Sequence, residues 1–199
     1  MENQQPLKKK TAGRWKLFAI IAVCASPLIG SYVAYYAIKP GGRTNYGDIL
    51  DPRKYPMPDL AVMTLDGKPT ALEAYKGKWI MVQADAGACD ASCHKKLYEM
   101  RQLRLTQGKA MQRIERVWLI TDAEPLETTL MREYDGTRML RANPAALEKW
   151  LPAEAGTKVS DHIYMIDPLG NLMMRFPKDA DPNKIKQDLG KLLRASSIG

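Results

Sequence analysis

A chain of 199 residues with 45% hydrophobic side chains has room for one domain of ordinary size plus an extension, which excludes two full domains. The formal charge of +8 is concentrated at the start. Lys8, Lys9, Lys10, Arg14, Lys16 and Lys39 against Glu2 leave +5 in residues 1–40, and the +3 that remains excludes a general nucleic-acid-binding role.

Residues 1–16 read as a basic, unstructured tail. Leu17 to Ile38 is a run of 22 residues without a charge, which as a helix is about 33 Å long and predicts a transmembrane anchor. Pro27 and Gly30 lie in its middle, and Tyr32, Tyr35 and Tyr36 suit an interfacial belt at its far end. A cleaved signal peptide shares the order basic, apolar, polar, but no clean small-x-small cleavage site follows the run. A lipoprotein-type role for Cys24 meets the bulky Val23 before it. The basic residues on the short N-terminal side predict a cytoplasmic N-terminus and an exported remainder: a single-pass protein of the bacterial inner membrane with its C-terminal domain in the periplasm.

Residues 39–56 carry Pro40, Gly41, Gly42, Pro52 and Pro56 and read as a linker, with the domain expected over 57–199. Leu60–Leu65 is a strand candidate followed by the Asp66-Gly67 turn, and Thr70–Tyr75 a helical turn closed by Gly77. Trp79–Ala84 reads as a buried strand. After Cys93, Leu97, Met100 and Leu103 recur at helical spacing, with Lys95, Lys96, Glu99, Arg101 and Arg104 assigned to a solvated face and a resumption expected past Gly108. Arg116–Thr121 is a central-strand candidate, Glu124–Tyr134 a helix, Arg138–Arg141 a short strand, and Asn143-Pro144 the cap and first position of a helix to Leu151. His162–Asp167 and Leu172–Phe176 form a hairpin around Pro168-Leu169-Gly170-Asn171, and Asp181-Pro182 opens a last helix with Ile185, Leu189 and Leu192 inward. Strands alternating with helices and ending in a hairpin predict a three-layer α/β fold with a mixed sheet.

Between the first buried strand and the first long helix stands Ala88-Cys89-Asp90-Ala91-Ser92-Cys93-His94. Thiols at i and i+4 across a helix start lie roughly 6 Å apart, close enough for a disulfide or for joint capture of a soft ion such as Cu(I). A lone close pair reads as a redox or metal site, since three cysteines are too few for a disulfide scaffold or an all-sulfur zinc site. Cysteines plus His94 and His162 match no usual zinc spacing, and the three residues between Cys89 and Cys93 depart from the two of a haem attachment motif. Helix-start N–H groups favour thiolate, while Asp85 and Asp90 oppose it. His94 is expected at the surface, and Met173-Met174 as one inward and one outward side chain.

The anchor, Cys89-x-x-x-Cys93, Asp161-His162 and Tyr164-Met165-Ile166-Asp167-Pro168-x-Gly170 together resemble the thioredoxin-like superfamily over roughly residues 57–196. Within it the sequence looks most like the Sco/SenC proteins. The resemblance implies a thioredoxin-like fold, copper held by Cys89, Cys93 and His162, redox chemistry at Cys89 and Cys93, and the copper-bearing subunit of cytochrome c oxidase as partner. Asp90 and His94 stand where that family usually has proline, and His162 lies nearer its tyrosine than the family histidine usually does. A general thiol-disulfide oxidoreductase, with Cys89 as attacker, and a non-catalytic assembly scaffold remain alternatives.

Overall fold

The computed structural model describes residues 12–38, 45–196 and 198 and divides the chain into two units, Met1–Thr44 and Asn45–Gly199. In the first, helix α1 (Ala12–Val33) includes Pro27 and is continued by a π-helical turn, Ala34–Ile38. The stretch Arg14–Ala37 is long and apolar enough to cross a membrane. The helix begins before Leu17, so the expected tail is helical from Ala12; its earlier part, like residues 39–44 of the expected linker, lies outside the described residues.

The second unit is built on eight strands, β1 (Asp48–Ile49), β2 (Ala61–Thr64), β3 (Pro69–Ala71), β4 (Trp79–Asp85), β5 (Ile114–Ile120), β6 (Thr137–Ala142), β7 (Tyr164–Ile166) and β8 (Leu172–Arg175). They form one mixed sheet in the order β1-β8-β7-β4-β5-β6-β2-β3. Parallel pairing joins β4 to β5, in register from Trp79 opposite Ile114 to Asp85 opposite Ile120, and β5 to β6; every other pairing is antiparallel. Helices α2 (Ala91–Leu105), α3 (Thr128–Glu133), α4 (Pro144–Trp150) and α5 (Pro182–Ala195) complete it.

Both central strands are unbroken apolar runs because both their faces are covered. Successive side chains of β4 alternate between two cores. Ile80, Val82 and Ala84 pack with Val117, Leu119, Leu147 and Trp150; Trp79 and Met81 pack with Met100 and Leu103 of α2 and Ile185 and Leu189 of α5. The same alternation turns Gln83 and Asp85 toward α2, which places polar groups at the end of the strand that leads into the cysteines.

Several expected boundaries move. Residues 45–56 are part of the sheet unit, not a linker: β1 pairs with β8, and the buried Asp188 carboxylate accepts from the N–H groups of Tyr46, at 2.6 Å, and Gly47, at 2.9 Å. Gly47 suits this contact, since a Cβ there would meet Met174 and Phe176 side-chain atoms at 2.8–2.9 Å. Pro69–Ala71 is a strand before the 3-10 turn Leu72–Tyr75, and Gly108–Arg113 is a 3-10 helix that ends as Ile114 enters β5. The expected helix 124–134 is confined to Thr128–Glu133, because Pro125 disfavours helical backbone at Glu124.

Candidate functional site

Strand β4 delivers its chain to α2 through Ala86–Asp90. Cys89 adopts a left-handed backbone, φ +39°, in the region L-residues other than Gly, Asn and Asp seldom enter. That turn brings Cys89 back over the first turn of α2, where Cys93 sits. The two are joined in a disulfide, with Cα atoms 5.1 Å apart. Asp90 caps the helix, its Oδ1 accepting from the Cys93 N–H at 2.9 Å, so this carboxylate is committed to the backbone donor. The Gly87 N–H donates to both oxygens of Asp122, at 3.0 and 2.9 Å, and Arg141 donates to the carbonyls of Asp122 and Glu124, which fixes the loop against the end of β5.

The disulfide packs with Leu97, Trp118, Ile120, Leu130 and Tyr134. Cys89 is 5% exposed and Cys93 1%, so both residues are buried, Cys89 slightly less so. Beneath them, Gln83 Nε2 lies 3.5 Å from Cys93 Sγ. One residue pair further along the strand, the Asp85 carboxylate meets Lys96 Nζ at 2.7 Å, and Lys96 also donates to the Ser160 carbonyl. Lys96 is 7% exposed, which corrects its assignment to the solvated face. Its position three residues after Cys93, on the stripe shared with Leu97 and Met100, was the signal for burial. Burial pushes the Asp85 carboxyl up to about 6 in spite of the opposing Lys96 charge, with smaller upward pressure from Asp90 and Asp161. A cleft of about 720 Å³ runs along Asp85 and Ala86, bounded by Thr121, Leu147, Leu151 and Lys158.

The expected third ligand is not brought to the sulfurs. His162 is fully buried; its Nδ1–H donates to the Phe176 carbonyl at 2.8 Å, and Nε2 lies 2.7 Å from Thr157 Oγ1 and 3.4 Å from Glu154 N. Burial lowers its pKa below the usual histidine range and so favours the neutral ring, against the opposing effect of the Phe176 hydrogen bond. A neutral ring with Nδ1 protonated has one lone pair, on Nε2, and the 154–157 loop takes it. His94 is half-buried, not at the open surface, with Nδ1 3.3 Å from Tyr134 Oη. Met174 is buried and Met173 only partly so, as their alternation requires.

The copper that the sequence resemblance implies needs free thiolates, so the disulfide-bonded state does not present its donor set. Its sulfurs are bonded to each other and its histidine is committed elsewhere, and among the described residues no three His, Cys, Asp or Glu side chains are grouped to hold a metal. The bonded sulfur pair stands between the C-terminal end of β4 and the first turn of α2.

Comparison with solved structures shows the thioredoxin-like fold. The chain is similar to yeast Sco1 with copper bound, at 15% identity and a TM-score of 0.52 over 78% of this chain and 96% of that one. It is similar to Arabidopsis thaliana ScoI with copper bound, at 15% identity and a TM-score of 0.53 over 76% and 99%. A thioredoxin-family thiol:disulfide interchange protein from Chlorobium tepidum matches at 20% identity and a TM-score of 0.51 over 71% and 94%. Comparison with curated proteins found no match. The family model described as "Transmembrane-like, thioredoxin-like, C-terminal domain" matches residues 79–196, more than half of the sequence and the whole stretch from β4 to α5. The chain belongs to that transmembrane-like, thioredoxin-like family.

Proposed function

We propose that this protein is a membrane-anchored thiol-disulfide exchange factor whose domain works on the periplasmic side of the bacterial inner membrane. The observation that carries the reading is the Cys89–Cys93 disulfide at the start of α2, at the end of the strand that leads into it. In the reduced protein the Cys89 thiolate attacks a client disulfide; a mixed disulfide forms and the first client sulfur leaves as thiolate. Cys93 then attacks Cys89 Sγ, the second client sulfur leaves, and the Cys89–Cys93 bond closes. Two electrons pass to the client, and a dithiol reductant restores the pair while closing its own disulfide.

Cys89 is the attacker because it precedes the helix and its cap and is the slightly less buried residue, while Cys93 is held in the helix to resolve the intermediate. The anchor raises the local concentration of the domain near membrane-bound clients. The resemblance to Sco proteins makes the cysteine pair of a copper-bearing oxidase subunit the client proposed here. What supports exchange over resident copper is that the sulfurs are paired in a disulfide while both His162 nitrogens are engaged with Phe176 and the 154–157 loop.

Trapping tests the reading. The full chain carrying Cys93→Ser, expressed in membranes, should accumulate a mixed disulfide through Cys89 that a reductant releases and that is absent when Cys89→Ser is added. Failure to form an adduct with any client or model disulfide contradicts it.

A further inference from the structure

Gln83 is an amide enclosed entirely by the protein, on the face of β4 turned toward α2. Its Nε2 faces Cys93 Sγ at 3.5 Å, and its buried Oε1 meets no hydrogen-bond donor among the described residues. A buried carbonyl oxygen left without a donor is costly, and a disulfide sulfur has no proton to offer it while accepting only weakly from the N–H. A thiol at the same place has a proton for Oε1 once the amide turns, and a thiolate accepts more strongly from Nε2–H.

We infer that Gln83 is a positioning residue that biases the Cys89–Cys93 couple toward its reduced form, because reduction supplies the donor its amide oxygen lacks. The inference rests on the exchange reading above. A dithiol reductant transfers two electrons and two protons, the Sγ–Sγ bond breaks, one proton goes to each cysteine, and the reductant closes its own disulfide. Rotation of the amide about its last side-chain bond turns Oε1 to the new Cys93 S–H. Where Cys93 is ionised instead, the amide stays as found and Nε2–H donates to a full negative charge, a stronger bond than one to a disulfide sulfur. Both reduced species bond the amide more strongly than a disulfide sulfur does, the thiol through Oε1 and the thiolate through Nε2–H. The backbone of β4 holds the amide in place through its pairing with β5 and β7, so the side chain alone makes the adjustment.

The test is the equilibrium of the full chain in detergent with a glutathione redox buffer, native against Gln83→Met, which keeps the length of the side chain and removes donor and acceptor. The variant should favour the disulfide by about tenfold, which for a two-electron couple is a potential about 30 mV more negative. A merely structural role would lower the stability of oxidised and reduced forms alike and leave the potential where it was. On the native protein, the side-chain amide resonances of 15N-labelled Gln83 should shift on reduction, a readout that does not depend on how the variant folds. A variant potential within twofold of native in equilibrium constant, a change in the opposite direction, or amide resonances indifferent to reduction overturns the inference while leaving exchange intact. A native pair that no dithiol reduces overturns the exchange reading and this inference together.

Discussion

His162 Nδ1 donates to the Phe176 carbonyl at 2.8 Å, tying the residues that enter β7 to those that leave β8. The Phe176 N–H donates to Ile163 at 2.9 Å alongside it, so the imidazole extends the hairpin ladder past its last paired residues. On the other side Nε2 holds the loop through Glu154 and Thr157. His162→Ala should therefore cost about 3 kcal/mol in urea unfolding, from lost hydrogen bonds and an unfilled buried space. The glutathione equilibrium of Cys89 and Cys93 should stay within twofold of native; a large change in it would return His162 to the sulfur site.

The same burial makes His162 sensitive to acid. Its folded pKa is depressed below 6.5, so the unfolded chain takes up the proton first. Its contribution to stability is present above 6.5 and is lost as pH falls through the folded value. The native-minus-His162→Asn difference in unfolding free energy should shrink on acidification below 6.5, and a difference flat across that range contradicts the assignment.

Asp85 has the opposite sign. Its carboxyl is raised from 3.8 to about 6, so the folded protein holds the proton more tightly than the unfolded chain. The linked stability is fully present below 3.8 and is lost as pH rises to about 6, a change of order ~3 kcal/mol at 1.36 kcal/mol per pKa unit. Comparing native with Asp85→Asn isolates it: the variant should lack this decline between pH 4 and 6, whatever the fixed cost of depriving Lys96 of its partner.

The loop that carries Cys89 depends on Gly87. A Cβ there would sit 2.8 Å from Asp122 Oδ1 and 3.2 Å from the Glu124 carbonyl and Leu126 Cδ2. Gly87→Ala should destabilise the domain by about 1–3 kcal/mol and alter the rate at which the disulfide is reduced, because Asp122 cannot keep its grip on the residue 87 N–H without moving. Unchanged thermal stability and reduction rate would contradict that dependence.

Asp90 separates capping from charge. Asp90→Ala removes the acceptor for the Cys93 N–H and should cost about 1 kcal/mol, whereas Asp90→Asn keeps an oxygen in place and should cost less than half of that. Thermal unfolding of the oxidised forms reads the difference, and equal losses would mean the cap is not what the carboxylate provides.

The central strands, the helices and the cysteine corner were legible because each is written locally. β4 and β5 are apolar runs, α4 and α5 open on Asn143-Pro144 and Asp181-Pro182, and the cysteines follow a strand and precede a helical stripe. What escaped depends on residues far apart in the chain. Strand β1 is two residues long, pairs with β8, and follows residues 46 and 47 that Asp188 holds from about 140 positions away, so its own sequence carries no strand pattern. His162 was correctly placed at the entrance to a strand, yet which atoms its nitrogens meet is decided by the 154–157 loop and by Phe176. The charge of Lys96 suggests solvent, but its place on the stripe with Cys93, Leu97 and Met100 buries it against Asp85. Gln83 passed as one residue of an apolar run, and only the packing of α2 reveals that its amide faces a sulfur.

The most direct test of the central claim is quantitative alkylation of the full chain after equilibration in graded glutathione buffers. The account predicts one reversible two-electron transition in which Cys89 and Cys93 become modifiable together, with both protected in the oxidised limit. A pair that stays bonded in every buffer, or thiols that never close into a disulfide, would contradict it.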